Sequence, residues 1–371
     1  MRAGEETDMY LMDYVRAQKR VPRSIEPYNE VDMLAFASLS YLELDEIVSD
    51  LCAGEDLTMR EVAGMYRQKM EGNPNPPGLF IPRDFIDILI EMEDAPRYSD
   101  LLVYGFRYEW SMEDEEQFAA LGLQIPGGEN ILAIAGTDDT LLGWKEDLNL
   151  AVNGHIAGQP TSVAYVNDVL RAREGEFIMC GYSKGGHLAV YAPAMCEQPE
   201  RLKAVYDFDG PGFRDDFLAS DAFQRIKDRC LLIAPRYSAV SRMLNNIPNY
   251  VVTRGTLRGL YQHYSNRWLI EGNRFLREPD FAQGAQQFHT EFMEMLNDTT
   301  EEERSMTMEA VFRIAKETGV KSLTDVWRGR QQHIPEMLYA IRKLPKEQRD
   351  IAFSIVSRTL RMITRYYGGK R

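Results

Sequence analysis

Residues 181–185, Gly-Tyr-Ser-Lys-Gly, could place a nucleophilic serine in a tight turn between a strand and a helix. An apolar run at 177–180 precedes this motif, and a helical pattern begins near Lys184. The two glycines lack the Cβ atoms that would clash in so sharp a reversal. A serine held there presents its hydroxyl at the positive end of a helix, where a developing oxyanion is stabilised. The pattern predicts that Ser183 is a nucleophile, with a structural turn as the alternative.

A second strand-like run, 130–135, ends in a polar loop that begins with Gly136 and Thr137. In a serine hydrolase of this architecture, an earlier strand-to-loop junction supplies another backbone donor for the oxyanion. We therefore expect the N–H groups of Thr137 and Lys184 to form the oxyanion pair. An Asp-rich turn without a catalytic role would produce the same local sequence.

The order of residues along the chain favours one base among the five histidines. His155 precedes the serine in a glycine-rich loop, and His187 lies one helical turn beyond it. His289 and His333 fall in a predicted helical tail. His263 follows the last predicted strand, the position of the base when the order is serine, acid, histidine. We predict that His263 takes the serine proton, with a structural role as the alternative.

The catalytic acid is the weakest part of this pattern. Its usual place is the loop after the strand at 230–234, but neither Asp nor Glu occurs between residues 231 and 270. The preceding strand carries Asp207 and Asp209, and Asp209 stands at its tip before a Gly-Pro-Gly turn. Asp209 is therefore the predicted acid. Three alternatives stay open: a turn residue that hydrogen-bonds the following backbone, Asp207 as the acid, or a dyad without an acid.

The composition sets limits on the class of protein. The chain has 371 residues, of which 44% are hydrophobic, enough for one large α/β domain with an added helical piece. A formal net charge of −14 argues against nucleic-acid binding and against attraction to anionic lipid headgroups. The four cysteines form no C-x-x-C pair, so neither disulfides nor a zinc site are expected. The absence of a signal-like or membrane-spanning apolar run predicts a cytoplasmic protein.

The pattern of apolar residues divides the chain into three parts. Residues 1–98 are predicted to form a helical segment packed on the core, with Thr58 capping a helix. Residues 99–275 alternate short apolar strands with helices, which predicts an α/β core with a mostly parallel central sheet flanked by helices. Residues 276–371 show helical periodicity, with Thr300 at a helix start, and are predicted to be a helical extension. Its role as a lid, a dimer surface or extra core stays open.

Three of these motifs follow the order found in a known family. The stretch from Gly136-Thr137 to Asp147-Leu148 resembles the oxyanion segment of the class 3 (fungal-type) lipases, residues 181–186 resemble their nucleophile elbow, and residues 208–212 resemble the stretch that follows it. Along nearly its whole length, the chain more closely resembles a group of lipase-like α/β-hydrolases common in Gram-positive gut bacteria. This resemblance implies an α/β-hydrolase fold and a candidate nucleophilic serine, but it assigns no substrate.

Two positions depart from the pattern of these families. The acid of the class 3 lipases falls near Tyr237-Ser238, where this chain has no carboxylate. The residue before the serine is commonly His in both groups and is Tyr182 here. We expect the first departure to bear on the catalytic acid and the second to affect only the rim of the pocket.

The residues together predict a serine hydrolase of the esterase or lipase-like kind, in which Ser183 attacks, His263 transfers the proton and Asp209 orients the imidazole. The expected substrate is a small-molecule or lipid acyl ester, with a thioester or an amide left open, and the chemistry requires no metal or organic cofactor. The alternative is an inactive α/β-hydrolase scaffold that binds a partner, with its helical tail as the interaction surface. One distance discriminates between them, since an active site needs Ser183 Oγ within about 3 to 4 Å of a His263 ring nitrogen. The acyl chain length and the oligomeric state stay open.

Overall fold

The structure is a computed structural model of the chain. It describes residues 8–51, 56–72, 84–113, 115–138, 140–317, 339, 342 and 345–367. The sequence also predicts a break at 72–78 and a helix at 321–342, and both lie almost entirely outside these residues.

A central sheet organises the described part of the chain. Its strands are β1 (Leu57–Thr58), β2 (Leu102–Ser111), β3 (Glu116–Gln124), β4 (Asn130–Ile134), β5 (Phe177–Tyr182), β6 (Leu202–Phe208), β7 (Cys230–Pro235) and β8 (Tyr250–Thr253). A hairpin of β9 (Ile270–Glu271) and β10 (Arg274–Phe275) leads to β11 (Arg277–Glu278), which pairs with β8 at the sheet edge. Strands β4 to β8 are parallel neighbours, whereas β1 to β4 and the β8–β11 pair are antiparallel. The predicted central sheet is present, but it is mixed, with its parallel strands in the middle.

Helices cover both faces of this sheet. In chain order they are α1 (Leu11–Gln18), α2 (Glu30–Leu39), α3 (Met59–Gly72), α4 (Asp84–Met92), α5 (Leu141–Asn153), α6 (Gly158–Ala172), α7 (Lys184–Met195), α8 (Asp215–Ala219), α9 (Asp221–Gln224), α10 (Gln283–Asn297), α11 (Glu301–Glu317) and α12 (Lys346–Tyr367). Apolar side chains of α1 to α4 are buried with one face of the sheet, and those of α6 and α7 with the other. Because successive strand side chains point to opposite faces, each central strand contributes to both apolar clusters.

The two predicted helix starts are confirmed. The hydroxyl of Thr58 accepts the N–H of Glu61 at 3.3 Å, and the Glu61 carboxylate accepts the N–H of Thr58 at 2.8 Å. Thr300 and Glu303 make the same reciprocal pair at 3.2 and 2.8 Å. Each pair satisfies backbone donors that have no partner inside the first turn of a helix.

The flanking parts of the chain join the central sheet at its edges. Strand β1 comes from the predicted N-terminal segment, and β11 comes from the predicted helical extension. Helices α10, α11 and α12 bury a third apolar cluster together with α5. The helical periodicity of the tail is confirmed over these three helices, while the division into three parts stays a prediction. Within the described ranges, no helix has the length and apolar character needed to cross a membrane.

Candidate active site

The strand, turn and helix predicted around Ser183 are all present. Strand β5 ends one residue before Ser183 and α7 begins one residue after it, and Ser183 itself has φ 61° and ψ −132°. A positive φ is strained for a residue with a Cβ. A Cβ on Gly181 would lie 2.0 Å from the carbonyl oxygen of Gly185, and one on Gly185 would lie 2.1 Å from a carbonyl oxygen of β4. The glycines therefore permit the close packing that holds the serine in this conformation.

The structure brings Ser183, His263 and Asp209 together. His263 Nε2 lies 3.0 Å from Ser183 Oγ, and His263 Nδ1 lies 2.7 Å from Asp209 Oδ2. Ser183 follows β5, Asp209 follows β6, and His263 ends a 3-10 turn (Gly259–His263) after β8. Since β5, β6 and β8 belong to the parallel part of the sheet, these residues meet at the edge where the carboxyl ends of the strands lie. The arrangement lets the imidazole take a proton from the serine hydroxyl.

The structure separates the two aspartates at the end of β6. Asp209 has φ 54°, donates its N–H to the Ile233 carbonyl oxygen at 2.9 Å and directs its carboxylate to His263. Asp207 instead accepts the N–H of Gly210 at 2.8 Å, and burial raises the pKa of its carboxyl well above the usual range. The turn role that was open for Asp209 therefore belongs to Asp207.

Tyr182 contacts the candidate base, so the expectation that this departure affects only the rim of the pocket is wrong. Its side chain is buried, and its hydroxyl donates to the His263 carbonyl oxygen at 2.6 Å. Its ring stacks on the imidazole with 4.9 Å between centroids and 24° between planes. The carbonyl oxygen of Tyr182 in turn accepts the hydroxyl of Tyr41 at 2.8 Å. No sequence pattern indicates this role, because the position of a residue in a strand does not reveal which loop packs on it.

Both predicted oxyanion residues border Ser183. Thr137 follows β4, and a Cβ on the preceding Gly136 would lie 3.0 Å from Ser183 Cβ. The Thr137 hydroxyl donates to Asp147 Oδ1 at 2.6 Å. Lys184 is the first residue of α7, where backbone N–H groups have no partner within the helix. The positions suit two backbone donors to an oxyanion, and that role stays a prediction.

Two neighbouring acids of α5 contact the predicted oxyanion residues. Asp147 accepts the Thr137 hydroxyl at 2.6 Å, and desolvation raises the pKa of its partly buried carboxyl to about 6. Glu146 is buried and forms an ion pair with the fully buried ammonium group of Lys184. The same ammonium group donates to Gln117 Oε1 at 2.9 Å. Sequence reasoning assigned these acids no role, although adjacent carboxylates in a helix that packs on the core were a usable signal.

The other described histidines have different partners, and one histidine lies outside the described residues. His187 stacks on Phe213 with 4.2 Å between ring centroids, and burial lowers its pKa to about 4. His155 is exposed and faces a carboxylate of α11 at 3.7 Å. His289 Nδ1 lies 3.1 Å from a backbone carbonyl oxygen. His333 lies outside the part of the chain that the structure describes.

Solved structures of lipases resemble the chain weakly. The crystal structure of M37 lipase is 17% identical over 58% of this chain and 70% of that one, with a TM-score of 0.37. The native Rhizomucor miehei lipase propeptide complex is 13% identical over 60% of this chain and 67% of that one, with a TM-score of 0.33. Similarity this low supports no transfer of activity.

A protein-family model also matches the chain. Among curated proteins, none matches the chain. The model of the Mbeg1-like family matches residues 92–313. This range is more than half of the chain and includes Thr137, Ser183, Asp209 and His263. The chain therefore belongs to the Mbeg1-like family.

Proposed function

We propose that the protein is a serine hydrolase of the α/β-hydrolase type that cleaves an acyl ester through an acyl-enzyme intermediate. The observation that carries this proposal is the continuous path from Ser183 Oγ through the His263 imidazole to the Asp209 carboxylate. Its two distances, 3.0 and 2.7 Å, are those of hydrogen bonds. The distance from Ser183 Oγ to His263 Nε2 is also within the distance of about 3 to 4 Å that an active site needs.

Acylation follows from the placement of these groups. Ser183 Oγ attacks the carbonyl carbon of the ester while His263 Nε2 takes the hydroxyl proton, and the carbonyl electron pair moves onto oxygen. Asp209 accepts the Nδ1–H of His263, which leaves the lone pair on Nε2 and stabilises the imidazolium that forms. The backbone N–H groups of Thr137 and Lys184 stabilise the oxyanion.

Collapse of this intermediate produces the acyl-enzyme. The carbonyl double bond re-forms, the bond to the alcohol oxygen breaks, and His263 Nε2–H protonates the departing oxygen. Ser183 then carries the acyl group as an ester. A water molecule attacks that ester, His263 takes one proton from the water and returns it to Ser183 Oγ, and the carboxylic acid leaves. Atoms and charges balance with the ester and water as the reactants.

Helix α7 adds electrostatic support at the reacting oxygen atoms. Its 12 residues begin directly after Ser183, so the positive end of the helix dipole lies at the position where negative charge develops. The Glu146–Lys184 pair fixes the first turn of this helix through the Lys184 side chain. The site is thus organised before substrate binds, which is the condition for electrostatic stabilisation of a transition state.

The lack of an acid after β7 is the observation in the sequence that favours an inactive scaffold. Asp209 supplies a carboxylate at 2.7 Å from His263, so that observation no longer favours the scaffold. No described contact distinguishes a binding role for the helical tail from ordinary packing. The serine hydrolase is therefore the function that the geometry supports best.

A fluorophosphonate probe tests this proposal, because it phosphonylates a serine only when the hydroxyl is activated. We expect the wild-type protein to be labelled at Ser183 and Ser183→Ala to remain unlabelled. Ser354→Ala, at an exposed position on α12, is the matched control and should be labelled at the wild-type rate. An unlabelled wild-type protein, or equal labelling of Ser183→Ala, would refute the assignment and favour the scaffold. Hydrolysis of p-nitrophenyl esters of increasing acyl length then measures the chain-length preference.

A further inference from the structure

Ser238 forms the second contact of the Asp209 carboxylate. It lies in the loop after β7, and its hydroxyl donates to Asp209 Oδ1, while His263 occupies Oδ2. Ser238 and Asp209 are both almost completely buried. Each carboxylate oxygen therefore has one donor, and the two donors come from loops that follow different strands.

The surroundings of Ser238 fix the direction of its hydroxyl proton. Its Oγ accepts the backbone N–H of Ser241 at 3.0 Å and the hydroxyl of Ser241 at 2.9 Å. A serine hydroxyl has two lone pairs and one proton. With both lone pairs occupied, the remaining proton points to Asp209. The hydroxyl is therefore a dedicated donor to this carboxylate.

The end of α12 contacts both sides of the candidate site. The Tyr367 hydroxyl donates to the Ser238 carbonyl oxygen at 2.7 Å. The carbonyl oxygen of Tyr367 packs so closely on Gly259 that a Cβ there would lie 2.6 Å from it. Gly259, with φ +59°, begins the 3-10 turn that ends at His263. One residue of the last helix thus touches the loop that holds the acid and the turn that holds the base.

We infer that Ser238 and Tyr367 are positioning residues, which hold the Asp209 carboxylate and the His263 turn in the register needed for proton transfer. This inference rests on the proposed function, in which Ser183, His263 and Asp209 carry the reaction. Through Tyr367, the helical extension becomes part of the support of the site. Positioning matters because small displacements of reacting groups cost large factors in rate.

Conservative substitutions that remove or keep a hydroxyl group distinguish a positioning role of these residues from a role in packing alone. Ser238→Ala removes the donor to Asp209, and Ser238→Thr keeps a hydroxyl at the same position. Tyr367→Phe removes one hydrogen bond and keeps the ring. Tyr366→Phe is the matched control, because it removes a neighbouring tyrosine hydroxyl that binds Glu291 on α10 instead.

The measurement is the rate of fluorophosphonate labelling of the full chain, resolved into the maximal rate constant and the half-saturating probe concentration. We expect Ser238→Ala to lower the maximal rate about 10- to 100-fold, the range set by a hydrogen bond to a charged group. Tyr367→Phe should lower it about three- to tenfold, as for a neutral hydrogen bond. The half-saturating concentration should change less than about twofold, because the residues do not face the substrate. Ser238→Thr should recover most of the lost rate.

A second readout is the downfield proton resonance of the hydrogen bond between His263 and Asp209, which Ser238→Ala should shift and Tyr366→Phe should leave in place.

Wild-type maximal rates in Ser238→Ala and Tyr367→Phe would overturn the inference while leaving the proposed function intact. The inference would also be wrong if the half-saturating concentration alone changed, or if Tyr366→Phe slowed labelling equally. If Ser238→Ala does not fold, Ser238→Thr and Tyr367→Phe decide the question. An unlabelled wild-type protein overturns both proposals.

Discussion

Replacing Asp209 by Asn tests the role of the buried carboxylate with almost no change of shape. The side chain of Asp209 is completely buried, with His263 at one oxygen and Ser238 at the other. An amide has one oxygen acceptor and one nitrogen donor, so it cannot accept from both neighbours. Each orientation of the amide must therefore reverse or break the hydrogen bond to one of the two neighbours.

The first orientation turns the amide nitrogen toward His263. Nδ1 must then accept a hydrogen bond, which places the imidazole proton on Nε2 at 3.0 Å from Ser183 Oγ. Such an imidazole has no free lone pair facing the serine and cannot act as its base. The second orientation turns the amide nitrogen toward Ser238 Oγ, whose lone pairs Ser241 already occupies. That orientation leaves buried donors unsatisfied at a cost of about 1–3 kcal/mol.

The first orientation should therefore dominate, and catalysis should nearly stop. We expect the labelling rate and the hydrolysis of p-nitrophenyl butyrate to fall about 10³- to 10⁴-fold, the scale known for this exchange in another serine hydrolase. That loss corresponds to about 4–5.5 kcal/mol of transition-state stabilisation. Stability should change little or rise, because the variant no longer buries a carboxylate charge.

Asp207→Asn is the matched control, two residues away on the same strand. The carboxyl of Asp207 is buried with a raised pKa, so a neutral amide resembles its protonated form. We expect this variant to keep its activity within about threefold, since it leaves the contacts of Asp209 in place. A rate within tenfold of wild type in Asp209→Asn would refute the reasoning, as would equal losses in the two variants. Thermal unfolding followed by circular dichroism verifies that both variants fold.

Two further substitutions test the support of the site. Tyr182→Phe removes the donor to the His263 carbonyl oxygen but keeps the stacked ring. The rate of fluorophosphonate labelling should therefore fall about three- to tenfold. An unchanged rate would contradict a positioning role for Tyr182. Desolvation raises the pKa of Asp147 from 3.8 to about 6. Ionisation of this carboxyl therefore lowers the free energy of unfolding progressively as the pH rises from 3.8 to about 6. Asp147→Asn should therefore raise the free energy of unfolding in urea by up to about 3 kcal/mol at pH 8 and by little near pH 4; equal effects at both pH values would contradict this.

The sequence by itself determined the local geometry around the candidate nucleophile. Gly181 and Gly185 flank Ser183 with the spacing that a strand-to-helix reversal needs, and the apolar run before them is a buried strand. Such features depend on side-chain size and on periodicity over a few residues, which can be read directly from the chain. Chain order then selected His263 among the histidines, and the structure places it next to Ser183.

Only the tertiary structure decided how the carboxylates are used. Asp207 and Asp209 are two residues apart, and the sequence favours Asp209 without excluding Asp207, yet only the structure shows that one caps a turn and the other faces His263. The positive φ of Asp209 and the course of the loop after β8 produce this difference. Ser238 stands where a carboxylate was expected and instead donates to Asp209.

The sequence alone does not reveal these contacts because long stretches of chain separate the residues that make them. Ser183 and His263 are 80 residues apart, and Asp209 and His263 are 54 apart. The distance between such groups depends on the order of strands in the sheet and on the packing of whole loops. The conformational preferences of short segments determine neither the strand order nor the packing of the loops. The sequence therefore specified the serine and its turn and indicated which residues could be its partners, whereas the fold decided that these partners lie within hydrogen-bonding distance.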